Sequence, residues 1–172
     1  MNLLHRLVCR SAPWRWTVER WVIPWALDGL DLGEDVLELG PGPGLTTDVL
    51  RERAARLTTV EIDPRLASSL QERMKNTNVE VAEADATAMP FPDGSFSAVL
   101  SFTMLHHVPF VTLQDQLLAE ARRVLHPRGV FAGPDTAPGV LLRLAHIGDT
   151  MVPVDAATLG QRLEAAGSMR SR

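Results

Sequence analysis

From residue 36 onward the chain alternates short apolar runs with longer stretches that repeat their apolar positions at helical spacing. The run Val36-Leu37-Glu38-Leu39 is stopped by Gly40 and predicts a buried strand. Residues 45–56 read as a helix and residues 57–62 as a second strand. Asp63 is placed to cap a helix that has Pro64 in its first position and runs to about residue 76. Residues 79–84 predict a third strand, and Asp93-Gly94 marks a turn before a fourth strand at 97–102. A helix at 112–125 is stopped by Pro127 and Gly129, and residues 129–133 form a fifth strand. Asp155 caps a last helix that ends at Gly167. Strands this apolar, alternating with helices, predict an α/β fold with a doubly wound, mostly parallel sheet covered on both faces.

The first thirty residues follow another pattern. They hold all four tryptophans, Trp14, Trp16, Trp21 and Trp25, together with Arg6, Arg10, Arg15 and Arg20. Trp14, Trp21 and Trp25 are spaced to share one helical face. We therefore divide the chain into a helical lid, residues 1–30, and a ligand-binding domain, residues 31–172. The lid face can pack on the domain, close an acceptor pocket, or make a peripheral membrane contact.

With 172 residues, 45% hydrophobic and 22% charged, the chain suits one globular core. A net charge of -4 argues against nucleic acid as a partner. The single cysteine, Cys9, excludes an internal disulfide, and no metal-ligand spacing is visible. No apolar stretch is long enough to span a membrane and no signal-peptide core is present, so a cytoplasmic location is expected.

The chemistry concentrates after the first strand. Gly40, Gly42 and Gly44 form a G-x-G-x-G loop, with Leu45 where a dinucleotide loop would carry its third glycine. Glu38 stands beside this loop, where an acid disfavours a pyrophosphate. Glu61 ends the second strand, 21 residues after Gly40, the spacing at which an acid accepts ribose hydroxyls. Asp85 ends the third strand and can accept from an exocyclic amine. Three acids at three strand ends suit a ligand with an ammonium, a ribose and an adenine but no phosphate. S-adenosylmethionine (SAM) has that composition. A nicotinamide-dependent oxidoreductase is the rival reading.

The segments "VLELGPGPG", "VEID" and "EADATAMPFPDGSFSAVLSFTMLHHV" resemble the Rossmann-type, seven-stranded SAM-dependent methyltransferases. Within these they are most similar to the small-molecule, quinone-biosynthesis-like branch. The resemblance implies that Glu38 and the backbone of Gly40, Gly42 and Gly44 face the methionine part of SAM. It implies that Glu61 takes the ribose hydroxyls and that Ile62 packs on adenine. Asp85 and the Ala86 N–H would read the adenine edge, and Ser101 and Phe102 would stand beside the sulfonium. Methyl transfer needs mainly alignment, with a base only if the acceptor must lose a proton. His106 is the candidate base and His107 the second choice.

The family's sheet ends in two further strands, whereas only "SMRSR" follows Gly167. Five strands in the order 3-2-1-4-5 are expected, with the fifth as an open edge. Such an edge can pair with another copy of the chain, giving a homo-oligomer, or be covered by residues 137–154. The expected function is methyl transfer to a small-molecule acceptor, with a lipid or isoprenoid among the candidates. The alternative is a SAM-binding homologue made inactive by its short C-terminus.

Overall fold

The structure, a computed structural model, describes residues 11–135, 150–167 and 170–171. Its centre is a parallel sheet of β1 (Asp35–Leu39), β2 (Arg56–Glu61), β3 (Val79–Glu83), β4 (Phe96–Ser101), β5 (Leu125–Ala132) and β6 (Arg170–Ser171). Their order across the sheet is β3-β2-β1-β4-β5-β6, which contains the expected 3-2-1-4-5. β1 pairs with β2 on one side and β4 on the other, so the order reverses at β1. A crevice opens at such a reversal, beyond the carboxyl ends of the strands.

Helices cover both faces: α3 (Leu45–Leu50), α4 (Pro64–Arg73), α5 (Val111–Val124) and α6 (Ala156–Ala165) follow the N-terminal helices described below. Successive side chains of a strand point to opposite faces. Along β4, Val99 joins Leu37, Leu117, Leu118 and Phe131 in one apolar layer. Its neighbours Ala98 and Leu100 join Val36, Leu57 and Val130 in the other.

Three elements depart from the pattern read in the sequence. α3 stops at Leu50, because the Asn78 amide donates to the carbonyls of Arg51 (2.9 Å) and Ala54 (2.7 Å) and turns the chain toward β2. β5 starts at Leu125, four residues before the expected strand, and its register against β4 shifts between Phe96 and Ala98. Pro127 falls in that irregular stretch, where a missing N–H costs no regular ladder bond. The tail after Gly167 forms β6, two residues that pair in parallel with Val130 and Phe131 of β5. The tail was expected to be too short for a strand, yet two residues suffice to meet backbone groups at that edge. The outer side of β5 is thus not fully open, which removes the ground for expecting self-association there.

Residues 12–27 form one helical rod in three parts. α1 (Ala12–Thr17) is capped by Ser11, a π-helical turn spans Val18–Val22, and α2 (Ile23–Leu27) follows. Pro24 supplies no N–H, which favours a wider turn just before it. The wider turn shifts the helical register. Trp14 is therefore half-buried while Trp21 and Trp25 are exposed, and the three do not share the single face their spacing predicts. Ile23, Ala26 and Leu27 fasten the rod to the second apolar layer. No helix among the described residues is long and apolar enough to cross a membrane. Cys9, and residues 137–149 of the expected covering segment, lie outside the described residues.

Candidate functional site

A cavity of about 520 Å³ occupies the crevice beyond the strand ends. This is a ligand-sized volume. The glycine loop forms one wall. Gly40, Gly42 and Gly44 all have positive φ, +60°, +54° and +78°, which explains glycine at each. Their surroundings differ. A Cβ on Gly40 would stand 2.3 Å from Met104 Cγ, and one on Gly44 would stand 2.2 Å from Arg73 Nη2 and 2.4 Å from Leu70 Cδ1. A Cβ on Gly42 would meet nothing within 4 Å. Gly42 is therefore left bare on the cavity side, while Gly44 admits α4 against the loop. Arg73 clamps that contact by donating to Pro43 O (2.8 Å) and Gly44 O (3.1 Å).

The three acids occupy three different settings. Glu61, at the end of β2, lines the cavity and holds the loop. Its Oε2 accepts from Gly42 N and its Oε1 from Asp63 N, both at 2.9 Å. Each carboxylate oxygen retains acceptor capacity beyond one such bond. Asp85 is exposed at the rim, with Oδ1 accepting from the Thr87 N–H and hydroxyl, each at 2.8 Å. Glu38 is buried beneath the loop and does not line the cavity. It accepts from the hydroxyls of Thr46 and, at 2.6 Å, Thr47. Burial pushes its carboxyl up to about 7, against the opposing effect of those two hydroxyls.

The other expected residues also separate. Ile62 lines the cavity and is 66% exposed, an apolar side chain held in the open beside Glu61. Ala86 and Phe102 line it as well, whereas Gly44 and Ser101 do not. Ser101 is buried, and its Oγ has no hydrogen-bond partner among the described residues. His106, expected as the base, does not line the cavity: its side chain is 2% exposed and its Nδ1 lies 2.7 Å from Asp135 Oδ1. His107 lines the cavity instead, its ring centroid 4.2 Å from that of His106. The turn Leu105–His107 rotates successive side chains apart, so adjacent histidines reach different surroundings.

Several lining residues had no clear signal in the sequence. Thr103 has φ +51°, an unusual conformation for a β-branched residue, and its N–H donates to Pro134 O at 2.8 Å. It lines the cavity with Met104, Val108 and Leu113, as do Trp14, Val18 and Val22 of the helical rod. The cavity lining thus combines three acids, Glu61, Asp63 and Asp85, with apolar side chains from the rod and from the segment after β4. Among the described residues no cluster of His, Cys, Asp or Glu could hold a metal ion.

Comparison with known proteins agrees with this architecture. A family model described as a methyltransferase domain matches residues 37–133, more than half of the chain. The chain belongs to that family, the SAM-dependent methyltransferases of the Rossmann-like fold. One relative is "Probable ribosomal RNA small subunit methyltransferase A" of Thermococcus onnurineus, 40% identical over 49% of this chain and 29% of the relative. Another is the demethylmenaquinone methyltransferase of Tropheryma whipplei, 34% identical over 59% of this chain and 41% of the relative. The chain therefore spans well under half the length of these curated relatives. Among solved structures, a Haloferax volcanii methyltransferase in complex with the Trm112 methyltransferase activator superposes with a TM-score of 0.76 at 19% identity, covering 98% of this chain and 77% of that one. The methyltransferase CalH, solved with S-adenosylhomocysteine (SAH), superposes at 0.64 with 23% identity, covering 78% and 44%.

The ribosomal RNA relatives overturn the exclusion of nucleic acid drawn from net charge. A charge summed over the whole chain does not describe the pocket that would take a base. The cofactor is SAM, and the residues present suit it. The bare Gly42 leaves room for a ligand against the loop, and among the described lining residues there are acids but no arginine or lysine to hold a phosphate.

Proposed function

We propose that this chain transfers a methyl group from SAM to a small acceptor with an apolar body, held between the N-terminal rod and the segment after β4. The observation that carries this reading is that one cavity is lined both by the acids Glu61, Asp63 and Asp85 and by apolar side chains of the rod and of the segment after β4. In this reading Glu61 accepts from the ribose hydroxyls, Asp85 and the Ala86 N–H take the adenine edge, and Ile62 covers the ring. The Gly40 and Gly42 backbone receives the methionine part, and Phe102 stands beside the reacting centre. Glu38, Gly44 and Ser101 act from behind, shaping the loop and the strand end. SAM when bound supplies a methyl carbon already activated by its sulfonium. The protein's task is then to align an acceptor and exclude water, which can contribute about 7–11 kcal/mol.

The apolar wall of Trp14, Val18, Val22, Met104 and Val108 supports a small, poorly hydrated acceptor. The relative that acts on demethylmenaquinone is consistent with it. A second reading, a base of RNA as acceptor, is favoured by the 40% identity to the Thermococcus protein. Incubation with methyl-labelled SAM, offering naphthoquinols and phenols in one arm and ribosomal RNA in the other, separates the two. Label in the organic extract is expected. Label in RNA alone would replace the first reading with the second, and label in neither would favour an inactive SAM-binding homologue.

A further inference from the structure

We propose that Glu38, buried behind the glycine loop, is the residue by which this site distinguishes SAM from its product SAH, giving up its proton when SAM binds but not when SAH binds. The proposal rests on the methyltransferase reading above and adds to it how cofactor is exchanged for product.

The geometry is that of a buried acid without a cationic partner. Glu38 lies on β1 and is 1% exposed. Its Oε1 accepts from the Thr46 hydroxyl, and its Oε2 accepts from the Thr47 hydroxyl at 2.6 Å. Among the described residues no arginine, lysine or histidine pairs with it. The charged groups that act on it are themselves acids, Asp48 on α3 and Glu61 on β2. Arg73 of α4 pairs with Asp48 and Arg15 of the rod with Glu19, and neither bonds to Glu38. A carboxyl so placed holds its proton until a cation comes close. Burial accordingly raises it to about 7, against the two hydroxyls and with a further rise from Asp48 and Glu61.

Thr46 carries the link to the ligand. It lines the cavity, whereas Thr47 is fully buried. The carboxyl of Glu38 thus stands one hydrogen bond behind the cavity surface. SAM carries one positive charge more than SAH, on its sulfonium. In a water-poor interior that charge acts on a nearby carboxyl far more strongly than in water. Binding of SAM therefore favours the carboxylate: the O–H proton passes to water and its electron pair stays on oxygen. Methyl transfer removes the sulfonium charge, and the carboxylate recovers a proton from water. The neutral acid must place its own O–H on a threonine oxygen, so one of the two hydroxyls turns with each change. Because the proton is given up for SAM alone, acid weakens SAM and leaves SAH unaffected.

Titration calorimetry with SAM and with SAH, in PIPES and in imidazole buffers, reads proton release from the difference in buffer ionisation heat. At about pH 7 wild type should release roughly half a proton per SAM and none per SAH. From about pH 8 to about pH 6, SAM affinity should fall about tenfold while SAH affinity changes by less than about twofold. Glu38→Gln is fixed in the neutral form. It should bind SAM at every pH with the weak affinity wild type shows in acid, release no proton, and bind SAH as wild type does. Thr46→Val keeps the carboxyl and removes a hydroxyl that favours its charge, so the midpoint of the SAM dependence should move to higher pH. This second variant decides the matter where Glu38→Gln fails to fold, and an unmoved midpoint would count against the proposal. The same pH dependence for SAM and SAH would overturn the proposal and leave the methyltransferase reading intact. So would proton release that survives Glu38→Gln, which would belong to another group of the lining. Binding of neither ligand would overturn both.

Discussion

Glu61 joins the loop to the proposed cofactor, because its carboxylate both receives the Gly42 N–H and lines the cavity. Glu61→Ala removes the acceptor for two hydroxyls at once, bonds to a charged group worth about 1.5–3 kcal/mol each. SAM affinity should fall by about tenfold or more in titration calorimetry, with the fold retained. The glycines should divide by function. Gly42→Val places a branched side chain in the space left open at φ +54°, so binding should be lost with destabilisation of only about 1–2 kcal/mol. Gly44→Ala drives a Cβ toward Leu70 and Arg73, so it should lower the thermal midpoint more than it weakens binding. Glu38 makes a pH prediction. Its folded pKa of about 7 exceeds the ordinary carboxyl value of 4.5, so the folded protein holds a proton that the unfolded chain releases. Its contribution to stability is full below about pH 4.5 and falls as pH rises toward 7, by about 3 kcal/mol in total. Glu38→Gln should flatten urea-derived stability across that window. A variant as pH-dependent as wild type would show that Glu38 is not the group responsible.

Among the elements, those built on a clear period were legible in the sequence. β1, β2, β3 and β4 appear within about one residue of their expected bounds, because each is a short apolar run ended by a turn residue. Asp63 caps α4 as its type and position predict, accepting from Arg65 and Leu66 N–H. The misplaced boundaries have non-local causes. α3 is ended by Asn78, a side chain 27 residues beyond Arg51, and no local pattern announces it. Asn78→Ala should cost about 1–2 kcal/mol by leaving those carbonyls without their donor, read as a lower midpoint in a thermal melt. The π-helical turn at Val18–Val22 was equally hidden, since heptad-like spacing of tryptophans assumes an unbroken α-helix. The pairing of His106 with Asp135 likewise joins residues 29 apart on different elements. His107 and not His106 lines the cavity, a difference that their sequence neighbourhood does not show.

At the scale of the molecule, strand–helix alternation and the reversal at β1 place the cavity, and both were readable from the pattern of apolar runs. The acids of the lining were legible too, since Glu61 and Asp85 were each expected at a strand end. The apolar part of the lining was not, because it is assembled from α1, the π turn and the segment after β4, brought together only by packing. The central claim, that this cavity is built for SAM, is tested most directly by titration calorimetry of the intact chain with SAM, SAH and NAD. SAM and SAH should each bind at one site per chain, with Glu61→Ala weakening both and NAD giving no binding heat. Binding of NAD without SAM or SAH, or SAM binding indifferent to Glu61→Ala, would contradict the account.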